Sequence, residues 1–207
     1  MDEGCERDDE RDDERVIAET RAWVERAVIG LNLCPFAKAP QVKGLVRYVA
    51  SDAADPEALL ADLVRELHRL AEAPPERLET TLLIHPRALT DFEDFNDFLD
   101  LAEGAVQALD LQGVLQVASF HPDYRFADSA PDDPANATNR APFPTLHLLR
   151  EESLDRAVQA FPDAATIFGT NIETLRRLGA EGWAELRRQC RADAEQGAGA
   201  PGAVTGD

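Results

Sequence analysis

The chain is short of cysteine, of lysine, of aromatic side chains and of any long apolar run. Three cysteines in 207 residues, an odd number, do not make a disulfide scaffold. The longest apolar stretches, such as 113–120, are about eight residues, against the roughly 20 needed to cross a bilayer. The first fifteen residues are almost all charged and lack an apolar core, so no secretory signal is expected. No glycine-rich dinucleotide fingerprint and no phosphate loop is present, which argues against a nucleotide cofactor bound in the common way. Cys-x-x-Cys, His-x-x-x-His and His-Glu-x-x-His are all missing. His85, His121, His147, Asp123 and Cys34 are ligand types without ligand spacing, and no metal is assigned. These absences point to a soluble, cytoplasmic protein with no cofactor assigned.

Acid is plentiful. The net charge is −19, from 40 acidic and 21 basic residues. Nucleic acid, itself a dense polyanion, is therefore a poor partner. One stretch runs the other way: 26–51 holds no acid but carries Arg26, Lys38, Lys43 and Arg47, and the two lysines are the only ones in the chain. That reads either as solvated charge or as a local positive site for a small anion.

Apolar residues make up 44% of the chain, enough for one globular core. The organisation expected is a disordered charged tail over 1–15, a single domain over 16–193 and a flexible tail over 194–207. Apolar spacing over 16–31 predicts a helix. A strand is expected over 45–50. Asp55-Pro56-Glu57 opens a second helix, with Asp as cap and Pro in the first helical position. Strands follow over 80–85 and 113–121, with a helix between them opened by a capping box at Thr90-Asp-Phe-Glu93. After a long polar loop over 121–144 come a strand over 143–150 and three helices, one capped by Ser153 and one by a box at Thr170. The alternation predicts an α/β fold: a helix-covered sandwich around a roughly four-stranded mixed or mostly parallel sheet. A ferredoxin-like α+β arrangement is the alternative.

Two strands end alike, in Ile84-His85-Pro86 and Phe120-His121-Pro122. Proline stops each ladder because it has no N–H to donate. If the strands run in the same direction, both histidines emerge at one sheet edge, where open α/β sheets place ligands. The loop after His121 brings Asp123, Arg125, Asn139 and Arg140. The arginines are planar forks suited to carboxylate or phosphate, whereas Asp, Asn and Pro are also ordinary turn residues. Cys34, before Pro35, is either a nucleophile or part of a pocket wall. Its thiolate is disfavoured if it ends a helix and favoured if it opens a new turn. His147, inside Thr-Leu-His-Leu-Leu, reads as a partly buried strand histidine.

Several strings carry a family resemblance: Asn-Leu-Cys-Pro-Phe-Ala-Lys-Ala-Pro at 32–40, Thr-Thr-Leu-Leu-Ile-His-Pro at 80–86, Gln-Val-Ala-Ser-Phe-His-Pro-Asp-Tyr-Arg-Phe-Ala at 116–127 and Ala-Asn-Ala-Thr-Asn-Arg-Ala-Pro-Phe-Pro at 135–144. They resemble the bacterial family of uncharacterised proteins called DUF1415 over roughly 16–185. The resemblance implies a free-standing domain and transfers no activity or residue role.

Two functions follow from the residues. One is an enzyme acting on a small anionic substrate. In it His121 is general acid or base, Asp123 orients it, Cys34 is nucleophile or wall, and Arg125, Arg140, Asn139, Lys38 and His85 bind the substrate. The other is a non-catalytic domain that uses the same loop to bind a small molecule or a protein.

Overall fold

The computed structural model describes residues 3–127, 129–160 and 166–198. The chain runs α1 (Glu3–Trp23), a π-helical turn (Val24–Ile29), α2 (Lys38–Val42), β1 (Val46–Ala50), α3 (Pro56–Glu72), β2 (Thr80–Ile84), α4 (Phe92–Ala108) and β3 (Leu115–Phe120). A 3₁₀ turn (Pro134–Asn139), β4 (Thr145–Arg150), α5 (Glu151–Ala160) and α6 (Ile167–Ala198) complete it. This is an α/β fold whose strands and helices follow the expected order, except that the short α2 is added before β1 and the last two expected helices are joined as α6, kinked at Gly179.

The four strands form one mixed sheet in the order β1-β2-β4-β3. Only β1 and β2 pair in parallel; β4 is inserted antiparallel between β2 and β3. Of the expected arrangements the four-stranded mixed sheet is the one formed, in place of a mostly parallel or a ferredoxin-like one. β3 turns back through the loop to supply β4 to the gap beside β2, and no helical crossover separates those two strands. Because β4 opposes both neighbours, β2 and β3 still point the same way.

Helices cover both faces. Leu59, Leu63, Leu67 and Leu70 recur at three- and four-residue steps along α3, and each is fully buried. With Phe95 and Phe98 of α4 they pack on Leu83, Leu115, Leu146 and Leu148 of the sheet. On the opposite face Val16, Trp23 and Ala27 join Leu175, Trp183 and Leu186 of α6 over Tyr48, Leu82 and Ile84. Arg47 on β1 reaches α3 in a two-pronged pair with Glu66, at 2.7 and 3.1 Å. Arg150 at the end of β4 donates to the carbonyls of Leu70, Ala73 and Leu78, closing the carboxyl end of α3.

Local signals fared unevenly. Asp55 caps α3 as expected, accepting from the Ala58 N–H at 2.9 Å with Pro56 next in line. At α4 the cap is Asp91 and not Thr90: its carboxylate accepts from the N–H groups of Glu93 and Asp94. The charged acceptor serves two orphan donors at once, and Leu89 at φ 54 turns the chain just before it. Thr170 caps nothing, since α6 begins at Ile167. α5 starts directly after β4 at Glu151, ahead of Ser153. α1 begins at Glu3, and Val16 on it is buried. At the other end Ala194 is 1% exposed and α6 runs to Ala198. Residues 199–207 lie outside the described chain.

Gly179 breaks α6 at φ 68 and ψ 176, a combination that only glycine tolerates. No heavy atom would meet a Cβ there. Gly179→Ala is therefore expected to lower stability by about 1–3 kcal/mol through backbone strain alone, read as a shift in the urea midpoint with unchanged slope.

Candidate functional site

His85 and His121 do emerge at one sheet edge, on the α4 side. Both rings lie against Phe95, at centroid distances of 5.6 and 5.2 Å, and His121 also meets Phe92 at 5.5 Å. Both residues are fully buried. Their tautomers follow from their partners. The Ala88 carbonyl only accepts, so His85 carries its proton on Nδ1, 2.9 Å away. The Asp123 N–H donates to Nδ1 of His121 at 3.1 Å, so the neutral His121 ring carries its proton on Nε2. Among the described residues neither Nε2 atom, one an acceptor and one a donor, has a partner in good hydrogen-bond geometry, though the Leu89 and Thr90 carbonyls lie near His121.

Burial pushes the His85 pKa down to about 4, against the opposing pull of the Ala88 carbonyl. Burial also lowers that of His121, opposed by the Leu89 carbonyl, Asp123 and the Thr90 carbonyl. Both are neutral side chains near pH 7. A metal at His121 Nε2 would need the proton moved to Nδ1, where the Asp123 N–H already points. Among the described residues no three His, Cys, Asp or Glu side chains converge on a metal position.

The polar loop is largely a self-closing structure. Asn136 is its hub: Oδ1 accepts from the Phe126 N–H and the Ser129 hydroxyl, and Nδ2 donates to the Ala130 carbonyl at 2.8 Å. Arg140 donates to the carbonyls of Tyr124 and Pro131, and Asn139 to that of Ser119, while the Asn139 carbonyl receives the His121 N–H. Arg125 lies 3.9 Å from Glu93. Asp123 orients His121 through its backbone N–H, where the sequence suggested its carboxylate. Asn136→Ala, which removes three hydrogen bonds from a fully buried side chain, is expected to cost about 1–3 kcal/mol. Hydrogen exchange should quicken first at the amides of 126–140.

The neighbourhood of this edge does not suit an anion. A cavity of about 520 Å³ at the start of α4 is lined by Leu89, Thr90 and the carboxylates of Asp91, Asp94 and Asp97. The positive stretch around Cys34 is weakened too. Arg26 pairs with Asp193 of α6 and Arg47 with Glu66. Lys38 opens α2 and is exposed.

Cys34 lies on the other face of the sheet, away from His121, so the two do not meet. It follows the π-helical turn, in which the Gly30 N–H reaches back five residues to Glu25. Cys34 then opens the next turn, with the Ala37 N–H bonded to its carbonyl. The N–H groups of Phe36 and Ala37 also favour its thiolate, but burial outweighs them and raises the thiol pKa. Cys34 is a protonated wall residue.

That wall belongs to a cavity of about 660 Å³. The sheet supplies Leu82, Ala118, Phe120, His147 and Leu149 as its floor. Trp23, Val24 and Val28 come from the end of α1 and the π-helical turn, a distortion common near functional sites. Leu154, Ala157 and Ala160 of α5 close one side. α5 has no buried residue of its own, because the face it turns to the sheet meets this space. The one strongly polar side chain in the floor is His147. Thr80 gives its only hydroxyl proton to the Leu148 carbonyl at 2.6 Å, so it accepts from His147 Nε2–H at 2.7 Å. Among the described residues nothing hydrogen-bonds His147 Nδ1, which is left as a lone pair, and it is not one of the sealed unpartnered atoms as the Nε2 atoms of the other two histidines are. Burial pushes the His147 pKa down to about 4.

Sequence reasoning missed this cavity, though it named Cys34 and placed His147 correctly on a strand. The available signal was the lone polar ring in Thr-Leu-His-Leu-Leu, followed by a helix with a one-sided apolar face.

The fold and cavity define a small α/β sandwich with a largely apolar cavity between the sheet and an overlying helix. The family model described as a protein of unknown function, DUF1415, matches residues 15–185. The chain belongs to that family. No curated protein and no solved structure matches it.

Proposed function

We propose that this protein is a small-molecule-binding domain whose ligand occupies the cavity between the sheet and α5. The observation that carries this reading is the space itself. At about 660 Å³ it has the size of an ordinary ligand site, whereas close-packed interiors leave few voids larger than a water. Its lining is largely aliphatic and aromatic, with few polar groups, the usual make-up of such sites.

The acid–base reading centred on His121 has less support. The ring is fully enclosed by protein, and the arginines expected to hold an anion serve the loop or approach Glu93. Residence in the cytoplasm fits the same account. The charge of −19 disfavours nucleic acid, and no helix among the described residues is long and apolar enough to cross a membrane.

Trp23 lines the cavity and Trp183 does not, so a Trp183→Phe protein carries a single reporter. Titration with the neutral apolar dye N-phenyl-1-naphthylamine should quench Trp23 emission at one saturable site. Linear, unsaturable uptake of the dye would overturn the reading.

A further inference from the structure

We propose that the cavity selects neutral apolar molecules carrying one hydrogen-bond donor, a phenol or an alcohol, whose O–H is received by Nδ1 of His147. The inference rests on the reading of the cavity as a ligand site and adds the chemical class of the ligand.

The hydrogen-bond inventory sets the polarity. Thr80 cannot donate into the cavity, because its proton is held by the Leu148 carbonyl. The Thr80 oxygen holds His147 Nε2–H, which fixes the ring in the tautomer with a bare Nδ1. Leu82, Phe120, Leu149 and Trp23 line the same cavity as His147, and the Phe120 ring lies 6.0 Å from its imidazole. A hydrocarbon leaves it unanswered. An O–H or N–H donor completes it.

The same inventory works against carboxylates and phosphates. A lone pair repels an anion, and a ring buried this deeply stays neutral near pH 7. The guanidinium of Arg150 borders the cavity, but its Nε and Nη2 donate to carbonyls at the end of α3. Lys43 is at the rim and exposed, where a charge is screened. Cys34 is held as a thiol. The anionic substrate expected from the sequence is therefore replaced by a neutral one.

The test is competition against bound N-phenyl-1-naphthylamine by three molecules of one shape: 4-propylphenol, propylbenzene and 4-propylbenzoate. The phenol should displace the dye at least about tenfold better than the benzoate. The ratio of phenol to propylbenzene affinity should fall by roughly tenfold or more in His147→Phe, since the variant buries an unpaired hydroxyl while still accepting the hydrocarbon. Because His147→Phe also removes the bond to Thr80, a readout on the unaltered protein accompanies it. The ¹⁵N resonance of His147 Nδ1 should move on adding the phenol and stay in place with propylbenzene. A phenol-to-hydrocarbon ratio unchanged by the variant, an Nδ1 signal indifferent to the phenol, or a benzoate that outcompetes it would each overturn the proposal. Failure of the dye itself to bind would instead remove the ligand site, and this selectivity with it.

Discussion

Acidification should unfold this protein at a pH where most carboxylates are still ionised. His85 and His147 both have pKa values pushed down to about 4 by burial, from an ordinary 6.5. In the unfolded chain each binds a proton as pH falls through 6.5, whereas in the fold neither does so until about 4. The unfolded state therefore holds more protons across that window, and stability falls as pH falls. It is intact above 6.5 and the loss levels off below about 4. At 1.36 kcal/mol per pH unit, His85 contributes a loss of about 3 kcal/mol. His147, which borders the cavity, contributes somewhat less. Burial moves His121 in the same direction. Against a total stability of about 5–15 kcal/mol, such a loss brings many domains to their midpoint. The net charge of −19 works the other way, since protonating acids relieves self-repulsion. A loss in this window thus points to the histidines. Urea denaturation across the window should show it, and His85→Asn, which keeps a donor for the Ala88 carbonyl but does not titrate, should reduce the slope. Stability that stays level from neutrality to about pH 4 would contradict the assignment.

Filling the cavity should abolish binding without harming the fold. Ala157 on α5 faces the space, and α5 has no buried residue to displace. Ala157→Trp places an indole in an existing void, so the usual overpacking cost does not arise. Cavity-filling changes of this kind commonly add about 0.5–2 kcal/mol. Dye affinity should drop by about 100-fold or more, since the indole takes the ligand's contacts. The informative contrast is Phe95→Ala on the other face of the sheet. Phe95 is fully buried against both histidines. Its loss should cost about 3–5 kcal/mol while leaving dye affinity nearly unchanged at temperatures where the fold persists. Thermal melts and dye titrations on the two variants together separate a ligand site from a packing defect. Equal dye affinity in Ala157→Trp and the parent would exclude the cavity as the site.

Much of the architecture was legible because it rests on local rules. The Leu59–Leu70 stripe, the Asp55-Pro56 start of α3 and the two proline-terminated strands each carry their own reason. What was not legible depends on long-range pairing. Nothing near Thr145 says that β4 will enter between β2 and β3, so the mixed sheet could not be read from alternation alone. Arg140 and Asn139 looked like ligand groups because a fork and an amide serve a ligand or a loop equally well; only the positions of the Tyr124, Pro131 and Ser119 carbonyls decide. Cys34 and His121 were both conspicuous, yet the sheet lies between them. His147 was read as a strand residue, which it is, and the polar group it leaves free follows from the Thr80 hydroxyl 67 residues away.

The central claim is that a small apolar molecule binds between the sheet and α5, and methyl NMR tests it most directly. With ¹³C-labelled leucine and valine methyls, addition of 4-propylphenol should shift Val24, Val28, Leu82, Leu149 and Leu154, which line the cavity, and leave Leu59, Leu63 and Leu67 on the far face in place. Shifts confined to the far face, or no shift at saturating phenol, would contradict it.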